Sequence, residues 1–241
     1  LFIKQSDFLL LGIDQIVNTY NFFRAYSSHN LGSFTIHSIV CDQGFQGPQS
    51  SLNSLSDIAS LANISLYCLN GKDDISSTIG CQFVKPGFRI ISVSQRLFSA
   101  SSLDVSVQVM SSDGALFKYK SGADITIACY NFSLRYGLDL ALYLERQGIH
   151  ADLFHVNYVP CMDLALLRLS CARTGKLVFL DDSKGVVKFG DMHCMMLLES
   201  GINFSSLSLS RRGCHDDQYG VTHDQFEADL DAVANFLNRN T

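Results

Sequence analysis

Apolar residues in the C-terminal half fall into short continuous blocks, separated by stretches with helical spacing. Ile125-Thr-Ile-Ala-Cys129 is a mostly apolar, β-branched run, as expected of a strand covered on both faces. Ser133 is the candidate N-cap of the next element, where Leu134, Leu138 and Leu142 recur at helical spacing until Gly148. Ala151 to Val159 reads as the following strand, with Pro160 behind it. Asp163 opens a helix carrying Leu164, Leu167 and Cys171 as far as Gly175, and Lys176-Leu-Val-Phe-Leu180 is a third strand. A glycine-terminated hairpin precedes the set. Strands alternating with helices of this length predict right-handed βαβ units in a parallel sheet. Asp224 to Asn238 reads as a terminal amphipathic helix with Phe226, Leu230, Val233 and Leu237 on one face, its acids near the positive end of the dipole.

The front half repeats the α/β pattern. Phe8 to Tyr26 is helical, with Phe8, Leu11, Ile16, Tyr20 and Phe23 forming a broad apolar face, and Phe34 to Val40 is a strand. The loop Cys41 to Ser50 contains two glycines and a proline, which exclude a regular element. Leu52 to Ala62 predicts a helix, Ile64 to Leu69 a strand, Asp73 to Val84 a helix and Arg89 to Val93 a strand. The fold class is therefore α/β, with two domains that are each a mostly parallel sheet flanked by helices. The boundaries read as 1–98 and 114–241, with the serine-rich stretch 99–113 as the connection.

Composition narrows the function classes. With 241 residues, 47% of them hydrophobic, and a mean hydropathy of +0.14, the chain has ample core for two domains. No run approaches about 18 apolar residues, so no membrane span is expected. A net charge of −5 argues against nucleic-acid binding, and Arg211-Arg212 is too short to form a basic patch. The eight cysteines contain no C-x-x-C pair and fall mostly in apolar runs, where a reduced thiol acts as a small hydrophobe. His193-Cys194 and Cys214-His215 are weak zinc candidates, because adjacent residues rarely converge on one ion. Asn63, Asn131 and Asn203 sit in glycan-acceptor triplets that matter only in a secreted chain, and no signal peptide is visible. The expected compartment is the cytoplasm, or a mitochondrial or plastid matrix in a eukaryote.

From Ala115 to Asp182 the order of elements resembles the C-terminal domain of transketolase-like thiamine diphosphate enzymes, especially the β-subunits of 2-oxo acid dehydrogenases. In the front half, Asp14-Gln15-Ile16-Val17-Asn18 is similar to the D-Q-I-x-N helix of their pyrimidine-binding domain. Gly47-Pro48-Gln49-Ser50-Ser51 occupies the place of the family's Q-H-S loop, which follows a strand ending in R-G-P; counting back, the arginine position falls on His37. This resemblance implies a front domain that lacks its first elements.

It also implies a cofactor, thiamine diphosphate, at a subunit interface. An α-type partner would hold the diphosphate and magnesium, and this chain would form a homodimer within a heterotetramer. A family glutamate contacts the aminopyrimidine ring and promotes proton removal from the thiazolium, which then serves as an electron sink. Phe8 aligns with the aromatic that packs on the ring, and simple core packing is the other reading of it. Phe8 and Gln49 are thus the implied cofactor-binding residues, and His37 and Ser50 the implied catalytic positions.

The pattern is broken at three places. The family glutamate lies ahead of the D-Q-I-x-N helix, whereas the first glutamate here is Glu145, on the exposed part of a C-domain helix. The Q-H-S histidine is Ser50, a poorer proton donor. The arginine is His37, which could titrate near neutrality or be purely structural. Asp181-Asp182 sits at the carboxyl end of a strand, where ligands usually bind, although N-capping or a solvated role fits it equally. The stretch from Lys184 to Gly190 is too altered for a phosphate cradle. Three readings follow: a β-type subunit of a thiamine diphosphate enzyme, a catalytically degenerate scaffold of the same fold, and an unrelated doubly wound protein.

Overall fold

The computed structural model describes residues 1–26, 32–42, 53, 55–99, 105–159, 163–185, 188–210, 226 and 228–238. Two mixed, mostly parallel sheets flanked by helices make up the fold.

The front sheet holds β1 (Phe2–Ile3), β2 (Ser33–Val40), β3 (Ser65–Leu69), β4 (Gly87–Ser94) and β9 (Tyr158–Val159), in the order β1-β2-β4-β3-β9. Its strands run parallel except β9, which pairs antiparallel with β3. A 3₁₀ segment, Ser6–Gly12, leads into α1 (Ile13–Tyr26). Together with α2 (Leu55–Ala62) this segment covers one face through Leu9, Leu55, Ile58 and Ala62, while α3 (Lys72–Gln82) covers the other through Ile75. α2 is firmly seated, whereas α1 contains no buried residue.

The rear sheet has six strands, ordered β11-β10-β7-β8-β6-β5. These are β5 (Val109–Met110), β6 (Leu116–Lys120), β7 (Ile125–Tyr130), β8 (Ala151–Val156), β10 (Lys176–Asp181) and β11 (Ser205–Ser210). Every residue of β7 and β8 is buried, which accounts for their continuous apolar runs. α4 (Leu134–Glu145) and α7 (Leu230–Asn238) pack on one face, and α5 (Ala165–Thr174) and α6 (Phe189–Glu199) on the other. Each fully covered leucine on these faces contributes roughly 1.5–3 kcal/mol of apolar burial.

Several expectations need correction. Ser133 stands at the N-cap position of α4, but its hydroxyl makes no cap; it donates to the carbonyls of Tyr130 and Leu180 and so ties β7 to β10. The terminal helix begins at Leu230, and Asp229 accepts the Ala232 N–H at 2.9 Å, because an aspartate just before a helix satisfies an orphan donor better than it extends the helix. The stretch read as a connection contributes β5, which pairs antiparallel with β6. Gly148 and Gly175 end their helices with φ of 79° and 65°, as expected of glycine.

The sheets meet at their carboxyl ends. Asp42 follows β2, Asn70 follows β3 and Arg96 follows β4, and across from them stand Asn131 after β7 and Asp182 after β10. This seam gathers a cluster of buried polar side chains among the described residues.

Candidate functional site

Between α1 and the front sheet lies an apolar cavity of about 290 Å³. Phe8, Ile16 and Tyr20 line it from the helical side, and Phe34, Ile36 and Phe88 from β2 and β4. Gln15, from the D-Q-I-x-N helix, and Thr19 are its polar side chains. Phe8 is 45% exposed, so the 3₁₀ segment carries an aromatic face to the surface instead of burying it. No carboxylate is among the described lining residues. The Phe8 surface therefore suits a flat ring, with one amide able both to donate and to accept.

His37 lies elsewhere. It is mid-strand in β2 rather than at a strand end, paired with Phe2, whose ring meets the imidazole edge-on at a centroid distance of 5.3 Å. Its Nδ1 is buried and makes no hydrogen bond, and burial holds its pKa below the ordinary histidine value. β2 continues to Val40 because the apolar run does, and this moves His37 back from the sheet edge. Gln49, Ser50 and the rest of the Gly47–Ser51 loop lie outside the described residues. Glu145 is on the exposed face of α4 as expected, where Lys120 donates to it at 2.7 Å and holds its pKa down.

The seam joins Asp181 and Asp182, which the sequence singled out, to residues that sequence reasoning passed over. Arg96 reaches Asp42 and Asp182, each at 2.8 Å, and also bonds the Tyr136 hydroxyl. Burial opposes the guanidinium charge, but Asp182 and Asp42 more than offset it, so its pKa rises. Asp182 also accepts the Phe132 N–H at 2.9 Å. Asp181 and Asp182 are 1% and 0% exposed, which overturns the solvated reading, and each accepts a backbone N–H, from Ser183 and Phe132 respectively.

Beside this clamp, His155 of β8 is fully buried with Nδ1 3.2 Å from Asp74 Oδ2, outside hydrogen-bond geometry. Asn70 Nδ2 approaches His155 Nε2 at 2.9 Å and donates to the Asn131 carbonyl at 2.7 Å. Asn131 is held at a φ of 53°, an uncommon conformation in which asparagine is over-represented. Its amide donates to Asp181 Oδ1 at 2.7 Å, linking the cluster to the Arg96 clamp. The available sequence signal was the polar residue directly after each apolar strand, at the sheet edge where α/β proteins place ligands.

The cysteines are mixed in environment: Cys41, Cys68, Cys129 and Cys171 are buried, Cys81 is exposed and Cys194 half-buried, while Cys161 and Cys214 lie outside the described residues. His193 Nδ1 bonds the Tyr130 hydroxyl at 2.8 Å, and no three described His, Cys, Asp or Glu side chains are grouped to hold a metal ion. No described helix is long and apolar enough to cross a membrane.

Comparison with known proteins bears on the whole arrangement. No family model matches the chain. The pyruvate dehydrogenase E1 component subunit beta-2, mitochondrial, of Oryza sativa subsp. japonica is 25% identical over 127 residues, which are 51% of this chain and 34% of that protein. The corresponding subunit beta of Pisum sativum is 22% identical over 132 residues, 53% of this chain and 37% of that protein. Among solved structures, a split-gene transketolase described as an inactive beta4 tetramer superposes with a TM-score of 0.63 at 16% identity, covering 85% of this chain and 66% of that one. The chain shares the transketolase fold and is similar in sequence to pyruvate dehydrogenase E1 β subunits. The transketolase of Campylobacter jejuni shares the fold of this transketolase-like chain at a TM-score of 0.54 and 11% identity, covering 84% of this chain and 29% of that one. The matched stretch spans about a third of the length of the curated relatives.

Proposed function

We propose that this chain is the β-type component of a thiamine diphosphate enzyme of 2-oxo acid dehydrogenase or transketolase-like kind, and that its Phe8 face supplies the pyrimidine side of a site completed by an α-type partner. The observation that carries this reading is Phe8 itself: an aromatic ring left half-exposed at an apolar cavity, one turn ahead of the helix whose sequence resembles the family's. On this reading residues 1–98 are the pyrimidine-binding-like domain and 114–241 the C-terminal domain, whose sheet also takes in β5 from the stretch 99–113 between them. The partner holds diphosphate and magnesium, and two copies of this chain join two partners. The mitochondrial names of the relatives favour a matrix location over the cytoplasm.

The residues present fit the faces of the ring but not its proton chemistry. Phe8 stacks and Gln15 orients, yet the described lining holds no carboxylate to face a ring nitrogen. When bound, the cofactor supplies an electron sink for decarboxylation. This chain orients the ring and excludes water from one side.

A second reading, a scaffold subunit without catalysis of its own, is favoured by the position of His37, packed against Phe2 and outside the cavity lining. Reconstitution separates the two. The chain is mixed with an α-type subunit, thiamine diphosphate and magnesium, and complex formation and 2-oxo acid decarboxylation are measured. A complex that turns over supports the first reading, and a complex without turnover supports the scaffold. Failure to form any complex overturns both. The isolated chain is expected to show no turnover.

A further inference from the structure

We propose that the seam between the two sheets binds a monovalent alkali cation, held by Asp181, Asn53 and Ser56. The inference rests on the fold alone and does not depend on the cofactor reading.

Charge is the first reason. The seam gathers the carboxylates of Asp42, Asp57, Asp74, Asp181 and Asp182, and only Asp57 among them is not fully buried. Facing them are the cationic side chains Arg96 and Lys188, with His155 beside Asp74. Arg96 is taken up by Asp42 and Asp182, and Lys188 Nζ donates to Ser183 O at 2.6 Å and to Ser183 Oγ at 3.3 Å. Carboxylates thus outnumber cations in a region where an uncompensated buried charge is costly.

The second reason is independent of charge. Three oxygens here are buried without a hydrogen-bond partner: Asp181 Oδ2, Asn53 Oδ1 and Ser56 Oγ, on residues 1%, 2% and 3% exposed. All three border one turn. The Asn53 backbone carbonyl accepts the Lys184 N–H at 2.8 Å, and its side-chain Nδ2 donates to the Asp182 carbonyl at 3.3 Å. A Cβ at Gly185 would stand 3.0 Å from both Ser56 Oγ and Asp57 Oδ2. Asp181 begins the same turn, its other oxygen taken by Asn131 and by the Ser183 N–H. Buried polar groups are nearly always satisfied, so three orphan oxygens at one turn indicate an occupant.

The donor set selects its class. One carboxylate oxygen with an amide and a hydroxyl oxygen is a hard, all-oxygen set, with no thiol or imidazole to favour a transition metal. Asp57 Oδ2 stands beside Ser56 Oγ, but the Lys188 ammonium already lies against the same turn through Ser183, so a second positive charge there is best a single one. A divalent cation of the magnesium or calcium kind also calls for more ligand oxygens or retained waters than this turn offers.

The test is thermal unfolding of the whole chain at fixed ionic strength, as choline chloride is exchanged for potassium or sodium chloride. The expected result is a saturable rise in midpoint with one alkali ion, about 3 °C at tenfold saturation. Asp181→Asn should abolish the rise. Ser56→Ala, which removes a single hydroxyl and should fold normally, should weaken half-saturation about tenfold. A midpoint that responds equally to choline and to the alkali ions would mean that waters alone satisfy these oxygens and would overturn the proposal. So would an alkali-specific rise that persists unchanged in Ser56→Ala.

Discussion

Arg96, just beyond β4 of the front sheet, sits 2.8 Å from Asp182, which follows β10 of the rear sheet. Asp182 is fully buried, so the contact is an ion pair closed between the carboxyl ends of two sheets, and Asp42 makes it a triad.

Removing Arg96 leaves two buried carboxylates facing each other without their cation. Breaking one side of a buried pair costs about 3–5 kcal/mol, and the quarter-exposed guanidinium puts this case near about 3 kcal/mol. Arg96→Gln should lower the unfolding free energy measured in urea by that amount and separate the unfolding of the two sheets into distinguishable transitions. A loss under about 1 kcal/mol would show that the seam does not depend on the triad.

A second expectation concerns the rear core. Gly137 lies inside α4, and a Cβ there would land on Cys129 Sγ and 2.9 Å from Leu153 Cδ1, both at the centre of the sheet. Gly137→Ala should therefore destabilise by about 1–3 kcal/mol despite its better helix propensity. Combining it with Cys129→Ala should recover part of that loss, because the deleted sulfur makes room for the added methyl. Chemical denaturation of the two single variants and the double variant gives the coupling, and strict additivity would refute the proposed clash.

His37 sets a pH dependence. Its folded pKa lies below the unfolded value of about 6.5, because burial disfavours the imidazolium. Above about pH 6.5 both states are neutral at this residue and its contribution is intact. As pH falls below that value the unfolded chain takes up the proton first, so stability declines down through the folded pKa. His37→Phe should flatten the pH profile below about pH 6.5, and an unchanged slope would count against burial as the cause of the lowered pKa.

The rear sheet was largely legible because β7, β8 and β10 are buried and so carry uninterrupted apolar runs. Edge elements were harder to read. Ser205–Ser210 alternates serine with leucine and is a period-two strand, but its polar half masks it. β9 is two residues long and crosses to pair with β3, a tertiary contact with no local signature. Phe8 could be singled out by resemblance, and it does line the cavity. Asp182 could be singled out at a strand end, but its partners could not, because Asp42 and Arg96 are far from it in sequence and each reads locally as an ordinary polar loop residue. Only the register of two separate sheets brings them together.

The most direct test of the Phe8 surface as a thiamine-ring platform is a calorimetric titration of thiamine diphosphate, with magnesium, into the chain reconstituted with an α-type subunit. The wild-type chain is compared with Phe8→Ala, whose half-exposed site should cost little stability. Losing one aromatic stacking partner should weaken the dissociation constant about tenfold, equivalent to about 1.4 kcal/mol. Equal affinities for the two chains, or no cofactor binding by the reconstituted wild type, would contradict the assignment.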